Sequence, residues 1–233
     1  MRIGVIGASG NIGQRVVAEA LRRGHQVTGF TRPASTPPDG PAGVTWRALD
    51  VLDPASVTPA IAGLDVLVSA YQPGNAANDL DDTVARSIAD PSVYVTAARS
   101  LLTAMESYPV LRLIVIGGAG SLELRPGVTG VDDPDALRAG LVSLGLPPEY
   151  EAAVHGHRDA LNTYRTSNRL WTYLSPAQRI EPGERTGRFR LGGDQVLLDA
   201  NGESRISYED FAVALVDEAE LPRHVQRRFT VAY

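Results

Sequence analysis

Apolar strand-like segments alternate with helix-like segments along most of this chain. Residues 2–6 form a short apolar run, and residues 11–23 then repeat apolar side chains at helical spacing. The same patterns predict strands at residues 26–31, 44–49, 65–69, 111–116 and 170–174, and helices at residues 54–61, 79–108 (one long helix or two) and 150–168. Such alternation is typical of right-handed βαβ units, so it predicts an α/β fold with a doubly wound parallel sheet, the Rossmann fold.

The length of 233 residues suits a single domain over residues 1–233. Residues 175–233 mix short strands with one predicted helix at 208–218 and end in a predicted strand at 228–232. We expect this part to form a small C-terminal lobe on the substrate side. A surface loop and an irregular segment are predicted where Gly and Pro are frequent, at residues 33–43 and 122–148.

The composition excludes several kinds of chemistry. The chain has no cysteine and therefore no thiolate nucleophile. Its 22 basic residues are all arginine, so it has no lysine amine for a Schiff base. A net charge of −5 argues against a nucleic acid as partner. The N-terminal residues do not resemble a signal peptide, and no run approaches about 18 apolar residues. We therefore expect a cytoplasmic protein that binds a small-molecule substrate and neither nucleic acid nor membrane.

A glycine-rich loop, GASGNIG, joins the first predicted strand to the first predicted helix. Gly7 permits a tight turn, Gly10 lets the backbone approach a phosphate, and Gly13 allows close packing of helix against sheet. The free amides and the dipole at the start of a helix bind phosphate anions. An ordinary strand-to-helix turn is the alternative. We predict that the diphosphate of a dinucleotide binds to these three glycines and to their neighbours Ser9, Asn11 and Ile12.

The G-x-x-G-x-x-G spacing of this loop resembles that of the atypical short-chain dehydrogenase/reductase group, which includes NADH–flavin reductase-like and NmrA-like proteins. Residues 112–127 and 171–193 are similar to the same group, so the resemblance covers nearly the whole chain. It implies that Asp50, with Val51 beside it, binds the adenine. Asp53, which precedes a proline, is instead predicted to cap a helix. The resemblance also places beside the cofactor's ribose and nicotinamide a second set of residues, Ser69, Ala70, Tyr71, Gly117 and Gly118. For the first three of these, a plain turn is the alternative.

The second predicted strand ends at a position where dinucleotide-binding folds often carry a carboxylate that reads the ribose. No carboxylate is present there in this chain. Arg32 instead offers a planar guanidinium suited to a 2′-phosphate, and Thr31 and Ser9 offer hydroxyl groups. We therefore predict that NADP(H) is preferred over NAD(H). A solvated loop arginine is the alternative.

The catalytic pair of standard short-chain dehydrogenases, Y-x-x-x-K, is incomplete in this chain. Tyr150 matches the tyrosine, but the lysine position holds Val154, which cannot lower the pKa of a phenol. Tyr150 is therefore predicted to line the pocket or to donate a hydrogen bond. Ser121 stands where the superfamily carries its serine and is predicted to orient a carbonyl or a flavin ring, with a structural loop as the alternative. His155 and His157 lie two apart on a helix and point to different faces, so no metal site is predicted.

These features predict an NADP(H)-dependent oxidoreductase that passes hydride to an acceptor needing little proton transfer from the protein, such as a flavin or a quinone. The absent lysine motivates this prediction, because such rings take a hydride directly and are protonated by solvent. Two alternatives stay open. One is a non-catalytic NADP(H) sensor of the NmrA-like type, and the other is a reductase or isomerase that acts on a small natural product.

Overall fold

A computed structural model gives the structure of residues 1–33, 42–75 and 78–233. Its strands are β1 (Arg2–Ile6), β2 (Gln26–Thr31), β3 (Val44–Ala48), β4 (Val66–Ser69), β5 (Arg112–Ile116), β6 (Glu123–Arg125), β7 (Val128–Thr129), β8 (Leu170–Ser175), β9 (Arg179–Glu181), β10 (Arg190–Gly192), β11 (Arg205–Ser207) and β12 (Arg227–Ala232). Its α-helices are α1 (Asn11–Arg22), α2 (Pro54–Ala60), α3 (Leu80–Ala89), α4 (Val93–Ala104), α5 (Pro134–Ser143), α6 (Glu151–Arg165) and α7 (Tyr208–Glu220).

The main sheet confirms the predicted doubly wound topology. Its parallel strands follow the order β3-β2-β1-β4-β5-β8-β12, and β10 pairs antiparallel with β12 at one edge. The strand order reverses direction between β1 and β4. In open sheets of this kind, the carboxyl ends of the strands at such a reversal border the ligand crevice. A ligand-binding crevice is therefore expected at the loops that follow β1, β2, β4 and β5.

Apolar side chains pack on both faces of this sheet. On one face, Leu101 of α4 and Leu161 of α6 belong to the same buried cluster as Trp171 of β8. On the other face, Val16 of α1 packs with Leu215 of α7. β4 is buried along its whole length, as expected of a central parallel strand covered on both sides. Of the helices in the described ranges, none combines the length and the apolar character that crossing a bilayer requires.

The predicted strands and most predicted helices are confirmed within a few residues, but the prediction of an irregular segment at 122–148 was wrong. That segment contains α5, whose N-terminus is capped by the Asp133 carboxylate, which accepts a hydrogen bond from the Ala136 amide (3.1 Å). Pro134 occupies the first helical position, where its missing N–H costs nothing. The frequency of Gly and Pro concealed this start signal.

The structure tests two further predictions of local structure, and a third lies mostly outside the described residues. The helical region predicted at 79–108 is two helices, α3 and α4. Asp53 caps α2 as predicted, because its carboxylate accepts a hydrogen bond from the Ala55 amide (2.9 Å). The predicted surface loop at 33–43 lies mostly outside the described residues.

Residues 175–233 divide between the main sheet and a smaller unit. β12 joins the main sheet beside β8, and α7 packs on α1. β9 and β11 form a separate two-stranded parallel sheet. The division of the chain into a body and a small C-terminal lobe stays a prediction.

A fully buried carboxylate fixes the segment between β9 and β10. Asp210, in the first turn of α7, has no solvent-accessible surface. It accepts hydrogen bonds from the Gly187 amide (2.7 Å), from the Thr186 hydroxyl and from the Tyr233 hydroxyl (3.0 Å). The Asp210 carboxylate thus accepts hydrogen bonds from two distant parts of the chain, residues 186–187 and Tyr233, and holds both parts against α7.

Candidate functional site

A large cavity opens at the carboxyl ends of the parallel strands. Its volume is about 1390 Å³, which exceeds the roughly 300–1,000 Å³ of sites that hold one small ligand. The loops that follow β1, β2, β3, β4 and β5 all contribute to its lining, as do α5, α6 and β9. A cavity of this size has room for a dinucleotide together with a second small molecule.

The glycine-rich loop after β1 forms a close turn against the loop after β4. Gly7 has a φ of +74°, and a Cβ at this position would lie 2.4 Å from the Ala70 carbonyl oxygen. A Cβ at Gly13 would lie 2.0 Å from the Gly7 carbonyl oxygen. Both positions therefore require glycine. The turn is closed by a hydrogen bond that the Gly10 amide donates to the Gly7 carbonyl (3.0 Å).

The start of α1 presents backbone amide donors to the cavity. Gly10 is its N-cap residue, and none of the described side chains caps this end. The first amides of a helix have no partner within the helix, so those of Asn11, Ile12 and Gly13 are available to a bound anion. All four residues line the cavity together with Ser9, whose hydroxyl accepts a hydrogen bond from Asn75 (3.2 Å).

One end of the cavity lies at the ends of β2 and β3. Thr31 and Arg32 line it from β2, and Asp50 and Val51 line it from β3. Arg32 is exposed, and none of the described carboxylates forms an ion pair with it. The Asp50 carboxylate accepts a hydrogen bond from the Leu52 amide (3.0 Å), which orients it. An exposed guanidinium, unpaired among the described residues, and an oriented carboxylate thus lie at the same end of the cavity.

Of the three residues predicted beside the cofactor at the end of β4, two line the cavity and one does not. Ala70 and Tyr71 line the cavity, whereas Ser69 is buried at the end of β4 and does not belong to the lining. Burial, with a smaller contribution from the nearby Asp50 charge, raises the pKa of Tyr71 to about 12. Tyr71 is therefore a neutral phenol at physiological pH.

Tyr150 lies on the cavity wall within a network of polar side chains. The Gln72 amide nitrogen donates to the Tyr150 hydroxyl (3.1 Å) and approaches the Tyr94 hydroxyl (3.3 Å). The Tyr94 hydroxyl donates to Ser87 Oγ (3.1 Å). Burial raises the pKa of Tyr150 above its ordinary value, while the hydrogen bond from Gln72 opposes the shift. The phenol is therefore a weaker acid than in water and is not activated for proton transfer at neutral pH.

Val154, at the position of the missing lysine, has a packing role. A Cβ added at Gly120 would lie 2.2 Å from Val154 Cγ1, so the valine presses against the loop after β5. In that loop Gly117 and Gly118 line the cavity. Their place beside a nicotinamide stays a prediction. An apolar contact thus replaces the ammonium that standard members of the superfamily place here.

Ser121 is not brought to the cavity. It is 5% exposed, and its hydroxyl accepts a hydrogen bond from Arg228 Nη1 of β12 (3.1 Å). The same guanidinium donates from Nε to the Asp194 carboxylate (2.8 Å). Ser121 does not line the cavity. Its assignment as a catalytic residue stays a prediction that this placement does not support.

His157 is a cavity residue that the sequence analysis did not assign to the site. Its ring packs on Tyr94, with centroids 4.0 Å apart, and a Cβ at Gly118 would lie 3.3 Å from its Cγ. Burial lowers the pKa of His157 to about 4, so the ring is neutral at pH 7. The spacing of Tyr150, Val154 and His157 at i, i+4 and i+7 puts all three on one helix face, a signal that could have found it. Among the described residues, no group of three His, Asp or Glu side chains is arranged to hold a metal ion.

The lowered pKa of His157 predicts an acid-dependent loss of stability. As the pH falls from 6.5 towards 4, the unfolded chain takes up a proton on this ring and the folded protein does not. We expect the free energy of unfolding to fall by roughly 2 kcal/mol from the titration of this residue alone. This is less than about 1.36 kcal/mol for each unit of the pKa shift, because the ring borders the cavity and is not fully shielded from water. Urea unfolding at pH 7.5, 6, 5 and 4 measures it.

The control for this measurement is on the same helix. The wild-type chain and His155→Gln should lose stability over this pH range to the same extent. His157→Phe should lose distinctly less. If His157→Phe follows the wild-type pH dependence, the ring of His157 is not the group that titrates.

Comparison with known proteins reveals relatives over the full length. A family described as NAD(P)H-binding matches residues 7–220. The Bacillus subtilis protein YwnB is 33% identical over 237 residues, which cover 99% of this chain and 98% of YwnB. Several solved structures match 100% of this chain, among them two crystal structures with TM-scores of at least 0.80. One is a Burkholderia pseudomallei protein provisionally named an exported protein (40% identity, TM-score 0.81, 100% of that chain). The other is a Streptococcus pneumoniae protein provisionally named an NADH-flavin reductase (27% identity, TM-score 0.80, 99% of that chain).

Proposed function

Because this chain belongs to the NAD(P)H-binding family, in the atypical short-chain dehydrogenase/reductase group, we propose that it is an NADPH-dependent oxidoreductase that passes hydride to a flavin, a quinone or a similar small acceptor. The observation that carries this proposal is the single cavity that extends from Arg32 to Tyr150 and His157. The cavity is large enough for a dinucleotide along the loops after β1, β2 and β3, and it continues to α5 and α6, where a second molecule could bind. The provisional name of the Streptococcus pneumoniae protein supports the same reaction class. A cytoplasmic location is part of this proposal.

The residues along the cavity fit a dinucleotide. The close turn at Gly7 and Gly13 leaves the backbone bare where a diphosphate approaches, and the uncapped start of α1 offers amide donors. In this proposal Thr31 and Arg32 bind the 2′-phosphate. The adenine and the nicotinamide half are assigned to residues at the ends of β3, β4 and β5, namely Asp50, Val51, Ala70, Tyr71, Gly117 and Gly118.

When bound, NADPH supplies a hydride. The protein's contribution is to position the acceptor and to exclude water from the cavity. Tyr150, with its raised pKa, serves as a hydrogen-bond donor and not as a proton-transfer group. The acceptor must therefore be one that takes its proton from solvent after reduction, as reduced flavins and hydroquinones do.

The direct test is oxidation of NADPH by the purified protein, followed by absorbance, with riboflavin, FMN and naphthoquinones as acceptors. We expect turnover well above the uncatalysed rate and a lower Kd for NADPH than for NADH in calorimetry. Binding of NADPH and NADP⁺ with similar affinity and no turnover would instead favour the sensor function. The absence of heat with any pyridine nucleotide would reject nucleotide binding itself.

A further inference from the structure

The cavity has a wall of leucines around α5. Apart from Leu49 and Leu52, which follow β3, the leucines that line the cavity are Leu80, Leu124, Leu137, Leu141, Leu144 and Leu146. Leu80, Leu124 and Leu144 leave 57%, 37% and 46% of their surface exposed. Large apolar side chains gathered on one concave surface favour an apolar ligand, because covering them removes apolar area from water. This leucine wall is therefore a binding surface for an apolar molecule.

The leucine wall carries no charge. Among the described residues of α3, α5, α6 and 116–146 that line the cavity, none is Asp, Glu or Arg. The cation at Arg32 follows β2, which is separated from β5 by β1 and β4. Three strand spacings of about 4.8 Å put the ends of β2 and β5 roughly 14 Å apart in the sheet. An anionic group on the second ligand would thus have no counter-ion on this wall, and its desolvation would be unfavourable.

The wall formed by β9, β11 and the residues before β11 carries two cations, and each has an acidic partner. Arg179 pairs with Glu181 at 4.0 Å, and Arg205 pairs with Glu203 at 3.7 Å. All four residues line the cavity. The wall is therefore neutral in sum, and the neighbouring carboxylates weaken the attraction of either guanidinium for an anion.

Two polar groups border the leucine wall and can orient a ligand. Because Gln72 donates to the Tyr150 oxygen, the phenol hydrogen can be donated to an acceptor in the cavity. His157, on the same face of α6, is a neutral imidazole and offers a second hydrogen-bonding group. Both groups suit a carbonyl oxygen on an otherwise apolar ring.

We infer that the second ligand of the cavity is an uncharged, largely apolar ring that bears a carbonyl oxygen, such as a quinone or a flavin without its phosphate. It lies against the leucine wall with the carbonyl oxygen directed to Tyr150. This inference rests on the proposed reductase function and names its substrate class. For a quinone, the hydride from NADPH and one proton from solvent give the hydroquinone and NADP⁺, so atoms and charge balance.

Matched pairs of acceptors test whether the second ligand must be uncharged. Riboflavin and FMN differ by one phosphate, and 1,4-naphthoquinone and its 2-sulfonate differ by one sulfonate. We expect kcat/KM with NADPH to be at least about tenfold higher for the neutral member of each pair, in line with the cost of an unpaired charge in an apolar site. Which pair reacts faster distinguishes a flavin from a quinone. Equal or faster turnover of the charged members would overturn the inference and leave the reductase function intact.

A binding measurement keeps the inference testable if no acceptor turns over. Riboflavin fluorescence should be quenched by the NADP⁺-loaded protein, and FMN fluorescence should change much less. Quenching of riboflavin without turnover would reject the reductase function but support the binding site. Failure of riboflavin and 1,4-naphthoquinone to bind would overturn the inference.

Two variants of α5 and its C-terminal residue supply the structural control. Leu144 lines the cavity, whereas Val142, 67% exposed, does not. We expect Leu144→Arg to weaken riboflavin binding at least about fivefold. It should also reduce the difference in affinity between riboflavin and FMN, because it introduces a cation beside the leucine wall. Val142→Arg should leave both affinities unchanged. If the two variants behave alike, the leucine wall does not hold the second ligand.

Discussion

Arg32→Ala is expected to raise the Kd for NADPH by about 10- to 100-fold and to leave the Kd for NADH within about twofold. A guanidinium bonded to a phosphate contributes roughly 1.5–3 kcal/mol, and each 1.4 kcal/mol is a factor of ten in affinity. Arg32 is free to make this bond because it is exposed and no described carboxylate pairs with it. Calorimetric titration with both nucleotides measures the change.

The matched control is another arginine of the same cavity. Arg179 lines the opposite wall and pairs with Glu181, so Arg179→Ala should change the affinities for NADPH and NADH by the same small factor. An equal loss of affinity for both nucleotides in Arg32→Ala, or no loss, would show that this guanidinium does not select the 2′-phosphate.

Asp210→Ala is expected to lower the free energy of unfolding by about 3–5 kcal/mol. The substitution removes a fully buried carboxylate and leaves the Gly187 amide and the hydroxyls of Thr186 and Tyr233 without their common acceptor. Urea denaturation at pH 7 measures the loss. Asp217→Ala on the same helix removes a half-exposed ion pair with Arg23 (2.7 Å) and should cost no more than about 1 kcal/mol. Similar losses in the two variants would contradict the role assigned to Asp210.

Most of the fold could be predicted because its strands are short apolar runs separated by clear helical patterns. The strand β5, Arg112–Ile116, shows this in the sequence without any tertiary information. The helix α5 could not be recognised from composition, because Gly, Pro and Asp dominate around it. Its start depends on the local pair Asp133 and Pro134, a signal of position and not of composition.

The part of the cavity that we assign to the nucleotide follows from the chain's local order, whereas the part assigned to the acceptor does not. The glycine loop and Arg32 each follow a strand directly, so the parallel sheet places them at one edge. The surroundings of His157 depend on how α6 packs against Tyr94 of α4, which lies far away in sequence. Ser121 likewise follows β5 as expected, but its side chain is bonded by Arg228 of β12. Helical spacing can place His157 on the face of Tyr150. The contacts of His157 and Ser121 with these distant partners, however, are made by tertiary packing and have no sequence pattern.

The position of β12 has a consequence for how the chain is synthesised. This strand is translated after every other strand of the main sheet, yet it lies between β8 and β10. Until residues 227–232 emerge from the ribosome, β8 keeps an open edge and β10 has no neighbour in the main sheet. Open edges of this kind pair readily with other chains, so premature termination would yield an aggregation-prone product and a natural target for chaperones.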